Sequence, residues 1–193
     1  DKMQSIGKGM STYVTAPIVA VGAASFKAFG EVDDALDGII SKTGATGKEA
    51  SGLEESFNHV AGNGPFELNS VGDAIGSLHQ QFGLTDKELE TTSTKLLQYA
   101  EVNNTDVATA TNNAKSNIEA YGLSNKDLSS VLDITTKAAH DSGVSVDDLT
   151  QQALKAAPAA KGMKLSYGET VTLLGKLQKG GVDSSKAMSY MSK

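Results

Sequence analysis

Seven residues, Gly83 to Leu89 (Gly-Leu-Thr-Asp-Lys-Glu-Leu), combine a helix stop with a helix start and limit what this chain can fold into. Gly83 can take the positive φ that closes a helix, and Leu84 can fold back onto the last turn. Thr85 then offers its hydroxyl as an N-cap, and Glu88 stands three residues on, where a capping box needs it. The same grammar returns at Gly122-Leu123-Ser124-Asn125-Lys126-Asp127-Leu128 and at Gly143-Val144-Ser145-Val146-Asp147-Asp148-Leu149. Looser versions are Gly44-Ala45-Thr46-Gly47-Lys48-Glu49 and Leu165-Ser166-Tyr167-Gly168-Glu169.

The caps are spaced. Thr46, Thr85 and Ser124 follow one another at 39 residues, and Ser166 comes 42 later. A second series, Asn69, Thr105, Ser145 and Asp183, falls between them at steps of 36, 40 and 38. A helix-turn-helix unit of roughly 40 residues, used about four times, lies within the range of helical repeats. The fold class expected is therefore all-α: a multi-helix domain of successive αα-hairpins.

The apolar residues fill in the helices between the caps. Leu53, Phe57 and Val60 predict one after Thr46, broken by Gly62-Asn63-Gly64-Pro65. Val71, Ile75, Leu78 and Phe82 predict one started by Asn69 or Ser70. Leu89, Leu96, Leu97 and Ala100 follow Thr85, and Val107, Ala110, Ala114, Ile118 and Tyr121 follow a turn at 103–106. Ser124 opens a helix with Leu128, Val131, Leu132 and Ala139 inward. Ser145 opens one with Leu149, Ala153, Leu154 and Ala157 inward, which Pro158 should kink or stop. Ser166 leads into Val171, Leu174 and Leu177, closed by Gly180-Gly181. No stretch alternates with period 2, so sheet is not expected.

The N-terminal part differs. Residues 1 to 13 support at most a short helix, with Met3, Ile6 and Met10 at helical spacing. From Gly9 to Phe26 there are 18 residues without a charge, bracketed by Lys8 and Lys27. Pro17 suits a first helical turn, and Ala16, Ala20, Ala24 and Ala28 form a stripe of small residues that permits close helix approach. The length touches the lower edge of a membrane span, while Ser, Thr and Gly keep the hydropathy modest. Phe29, Val32, Leu36 and Ile39 continue the helix to Thr43-Gly44. A helix from Pro17 to Lys42 is roughly 40 Å long at ~1.5 Å per residue, more than a small domain needs. Its first half thus projects from the globular part or pairs with another copy. The division expected is 1–43, the N-terminal segment and long apolar small-residue helix, and 44–193, a domain of antiparallel hairpins. Asp1 in place of an initiator Met, and an end at Lys193 soon after Asp183 or Ser184 starts a helix, suggest a piece of a longer chain.

Composition removes several kinds of chemistry. There is no Cys, so thiol catalysis, zinc thiolates and disulfides are out. All 17 basic residues are Lys and the net charge is −6, which argues against specific nucleic-acid recognition, since that leans on the bidentate fork of Arg. His59, His79 and His140 stand on different expected helices; the carboxylate one turn from any of them is Glu55, a helix-surface ion pair for His59. Asp33, Asp34, Asp37 and Gly38 fail as a calcium loop, because Ala35 and Gly44 fall where ligands belong. A phosphate loop at Gly44–Glu49 fails on Lys42 and Glu49, and Gly7-Lys8-Gly9 lacks a strand before it and a third Gly. No Ser has a base and an orienting group beside it. No catalytic, metal or cofactor residues are assigned, and an enzyme is not expected.

The residues also resemble a known family. Gly7-Lys8-Gly9-Met10-Ser11, then Val14-Thr15-Ala16-Pro17-Ile18, Asp33-Asp34-Ala35 and Gly44-Ala45-Thr46-Gly47-Lys48-Glu49 are similar in order and spacing to the N-terminal conserved region of tail tape measure proteins of long-tailed bacteriophages. Phe82-Gly83-Leu84, Ala156-Ala157-Pro158-Ala159-Ala160, Gly162-Met163 and Gly180-Gly181-Val182 extend the resemblance, which departs from the family pattern over residues 61 to 80. It implies a structural virion protein in the lumen of the tail tube, made in the host cytoplasm, that sets tail length and leaves ahead of the DNA on infection. Its implied partners are other copies of itself, tail tube and tail tip proteins, tail assembly chaperones and, through residues 9–26, a host membrane. Folded hairpins are too short per residue to be the ruler, so this part reads as a module that docks on tail proteins or refolds on ejection. The rival readings are a helical-repeat scaffold for a protein partner and a membrane-active helical protein.

Overall fold

The stop-and-start segments are where the chain turns. The computed structural model describes residues 25–184, 186 and 187, and in them the chain forms α1 (Ser25–Thr43), α2 (Lys48–Gly62), α3 (Leu68–Phe82), α4 (Asp86–Asn103), α5 (Val107–Tyr121), α6 (Leu128–Ser142), α7 (Val146–Gly162) and α8 (Tyr167–Lys179). A 3₁₀ turn, Asn125–Asp127, precedes α6, and no strand occurs among the described residues. The stretch up to Ala24, with its expected Pro17 start and alanine stripe, lies outside the described residues, as do the side chains of Phe26, Ala28 and Phe29.

The period is real in three dimensions. Helices α3, α5 and α7 begin at residues 68, 107 and 146, steps of 39, and α2, α4, α6 and α8 begin at 48, 86, 128 and 167, steps of 38, 42 and 39. Each helix packs against the next in sequence and also against the one two further on: α1 on α3, α2 on α4, and so to α6 on α8. Where two helices of the same parity meet they run parallel. Gly72 and Gly76 of α3 lie on Ala35 and Ile39 of α1, and Gly168 and Gly175 of α8 lie on Ile134 and Ser142 of α6. The result is a two-layer stack, odd helices in one layer and even in the other, in which sequence position becomes position along the stack.

The core sits between the layers. Phe57, Ile75, Leu78, Leu89, Leu96, Ile118, Leu132, Leu149 and Leu174 are all fully buried, each worth about 1.5–3 kcal/mol relative to exposure. Alanine takes over in α7, where Ala153, Ala156, Ala157 and Ala160 face inward. The expectation that Leu154 points inward is corrected: it is 40% exposed, because the alanine stripe occupies the core side of α7. Pro158 does not stop α7, which runs on to Gly162. Both Pro158 and Leu154 are on the exposed side, so the Leu154 carbonyl that loses its intrahelical partner faces solvent rather than the core.

The caps divide into those that form and those that do not. Ser124 and Ser166 make complete capping boxes with Asp127 and Glu169, and Ser145 accepts from the Asp148 N–H at 3.1 Å. Asp183 accepts from the Lys186 N–H at 3.0 Å, as a helix start there requires. Thr85 stands at the N-cap of α4 but its side chain makes no cap bond, so the Glu88 capping box is absent; Asp86 beside it has φ 50. Gly47, not Thr46, precedes α2, Glu67 rather than Asn69 precedes α3, and Asp106 rather than Thr105 caps α5. At the C-termini Gly83, Gly122 and Gly143 all take left-handed conformations, φ 68, 67 and 74, as the opening motif demands.

Candidate interaction surface

Two of the three histidines tie helices together. His79 lies between the Leu84 carbonyl (Nδ1, 2.9 Å) and Glu49 (Nε2, 3.0 Å), tying α3 to the start of α2. His59 pairs with Glu90 at 3.1 Å, which corrects the expected pairing with Glu55: the partner is on α4, across the stack. His140 is exposed on α6. No group of three metal-ligating side chains occurs among the described residues, and no helix among them is long and apolar enough to cross a membrane.

What the fold does bring together is a set of polar ties about one period apart. Thr105 donates to the Asp147 carboxylate at 2.8 Å and the Asn113 amide adds a bond at 3.3 Å, so one carboxylate in the first turn of α7 fastens it to α5 and its leading loop. Buried Asn117 donates to its own helix at Asn113 O and across to Thr150 O at 3.0 Å, leaving its Oδ1 unpartnered. The Tyr121 hydroxyl donates to Ala153 O at 2.9 Å, and its ring meets Tyr167 edge-on at 5.3 Å between centroids. The single proton of Thr135 goes to Val131 O. Tyr167, 2.7 Å from that hydroxyl, must therefore donate to Thr135. Burial raises the Tyr99 and Tyr121 hydroxyls and pushes Tyr167 up to about 12, so these phenols stay protonated. The sequence marks Thr105 as a cap and Tyr121 as part of a helix face but shows no tie between them and later helices, and Asn113, Asn117 and Thr135 are not singled out. The signal was present as polar side chains repeating near the helix period, with Thr111 and Thr150 at matching places in α5 and α7.

The outer face of the even layer carries two shallow grooves. One, about 450 Å³, runs between α6 and α8 along Ile134, Ala138, Gly168 and Thr172 with Lys137, Lys176 and Lys179 at its rim. The other, about 430 Å³, lies between α4 and α6 along Tyr99, Val102 and Leu132. Val102 is 75% exposed and Ile134 37%. Three of the lysines along these grooves are held: Lys95 by Asp133 at 2.6 Å, Lys137 by Asp141 at 2.8 Å and Lys179 by the Asp141 carbonyl at 2.8 Å. The bond from Lys137 keeps the Asp141 carboxyl below its ordinary value. Apolar floor and lysine rim suit contact with another helix.

Comparison with known proteins places the chain among phage tail proteins. A tape measure protein of Pneumococcus phage Dp-1 is 26% identical over 185 residues, which covers 96% of this chain and 16% of that protein. The chain thus spans about a sixth of the length of that relative. No solved structure matches. The family model described as phage-related minor tail protein matches residues 54–193, from the middle of α2 through the rest of the stack and on to the last residue, and the chain belongs to that family.

Proposed function

We propose that this chain is a folded segment of a phage tape measure protein, a structural component of the tail with no enzymatic role. The observation that carries the reading is the alignment of nearly the whole chain with a protein of that description, of which it covers a small share. In this reading the full protein sets tail length and accompanies genome delivery, while the segment supplies a docking module. Its contacts are other copies of itself, tail tube and tip proteins and, during assembly, tail chaperones; residues 9–26 are the part suited to a host membrane. A stack of helices rises only one layer per ~40 residues, so the ruler lies elsewhere, in helix extended at ~1.5 Å per residue.

Protease protection tests the placement. In intact virions the segment should survive a protease that digests it in detergent-opened tails, and it should become sensitive after DNA ejection. Digestion in intact virions would remove it from the lumen.

The second reading, a helical-repeat scaffold, is favoured by the α4–α6–α8 face with its exposed Val102 and Ile134. Pull-down with the purified tube and tip proteins separates the two: binding lost in Val102→Asp and Ile134→Asp places the docking on this face.

A further inference from the structure

We infer that this module opens one αα-hairpin at a time, beginning at its C-terminal end, so that it can pass as a thread through a space that the folded stack cannot enter. Its use in a tail rests on the reading above; the mechanical property rests on the packing alone. Every substantial helix-helix contact is to the first or second neighbour in sequence. The side-chain bonds between helices follow suit: Lys42 with Asp73, Lys95 with Asp133, Asn117 with Thr150, Lys179 with Asp141. Among the described residues no substantial contact joins α1 or α2 to α7 or α8, so losing the last hairpin leaves the first ones with their main partners.

The direction comes from the core. Of the buried apolar residues from 30 to 103, fourteen are larger than alanine and four are alanine; from 104 to 184 the numbers are ten and eight. Buried area per residue therefore falls along the stack, and stabilisation falls with it. Polar ties such as Asp147 with Thr105 do not restore the balance, because each replaces a bond the same groups make to water. Pro158 inside α7 removes one further backbone bond from the same end. A single helix is ~10–12 Å across and two packed layers are roughly twice that, so sequential opening is the route by which this segment fits a narrow lumen.

Pulling the 193-residue chain by its two ends in an optical trap tests this. Several steps are expected, each releasing about 130–140 Å, the contour of one 39-residue hairpin. Leu174→Ala should lower the force of the first step alone, and Ile75→Ala that of a later one. A single event releasing upwards of ~500 Å, or a first step sensitive to Ile75→Ala, overturns the inference. Hydrogen exchange on the unsubstituted chain is the second measurement. Amides of α7 and α8 should exchange in denaturant that leaves α1 and α3 protected; uniform exchange would mean one cooperative unit. A single rip would leave the protease-protection result untouched, and digestion in intact virions would leave the steps untouched.

Discussion

A carbon atom added at Gly175 would lie 2.9 Å from Ser142 Cβ and 3.5 Å from Ala138 O, with α6 in the way. At Gly72 it would meet Ala35 O at 3.0 Å, whereas at Gly52, also helical, it would meet nothing within 4 Å. Forcing α6 and α8 apart costs about 1–3 kcal/mol, more than the ~1 kcal/mol that alanine gains over glycine in a helix. Gly175→Ala should therefore lower the urea midpoint and Gly52→Ala should raise it. A change of the same sign in both would show that helix propensity, not contact, governs these sites. Glu54 makes a second prediction. Its Oε1 is buried without a partner, and burial raises its carboxyl above the ordinary 4.5. The native state thus holds that proton more tightly than the unfolded chain. Any stability this gives is complete below the unfolded value and disappears as pH rises through the native one. Glu54→Gln should stabilise the protein at pH 7 and make no difference below pH ~4; equal unfolding midpoints at pH 7 would refute it.

Among the elements, the caps test how far local sequence decides structure. Ser145→Ala should cost about 1 kcal/mol, because its hydroxyl accepts from the Asp148 N–H, whereas Thr85→Ala should cost little, because Thr85 makes no such bond. Thermal melts of the two variants suffice; equal losses would mean that the Thr85 side chain does cap α4 in solution. Both were indistinguishable as sequence, each a hydroxyl residue two after a helix-closing Gly and three before an acid. What separates them is the left-handed Asp86, a backbone detail that the residue types do not mark. Helix number, order and the 39-residue period were legible because glycine stops and apolar faces are local signals. Leu154 is misread because it sits beside the inward Ala153 and one turn from Ala157, and only packing shows that the alanine side faces the core while Leu154 does not. The contacts between α1 and α3, α5 and α7 or α6 and α8 could not be read at all. They join residues 31 to 42 apart whose polar identity carries no mark of its partner.

At the scale of the whole molecule, the stack turns a sequence property into a field. In a fold that mixed distant segments, the uneven charge of this chain would be averaged over the surface. Here residues 30–103 carry thirteen carboxylates against four lysines, and residues 104–184 nine against eight. Because chain order is axial order, the α1–α4 half stands as one acidic body and the α5–α8 half as a nearly neutral one. Only a few of those carboxylates are paired: Asp73 with Lys42, Glu49 with His79, Glu90 with His59. Repulsion within the acidic half acts across the ~30 Å Debye length of 10 mM salt and is cut to ~8 Å at 150 mM. Adding salt should therefore protect amides of α1 to α4 more strongly and leave those of α5 to α8 close to unchanged, as hydrogen exchange at the two ionic strengths will read. An equal gain in both halves would mean that salt acts through general burial and that the charge division has no energetic consequence. With the difference present, the more alanine-rich half is also the less salt-sensitive one. Low salt would then bring the two halves closer in stability, and physiological salt would restore the order in which the larger side chains of the first half open last.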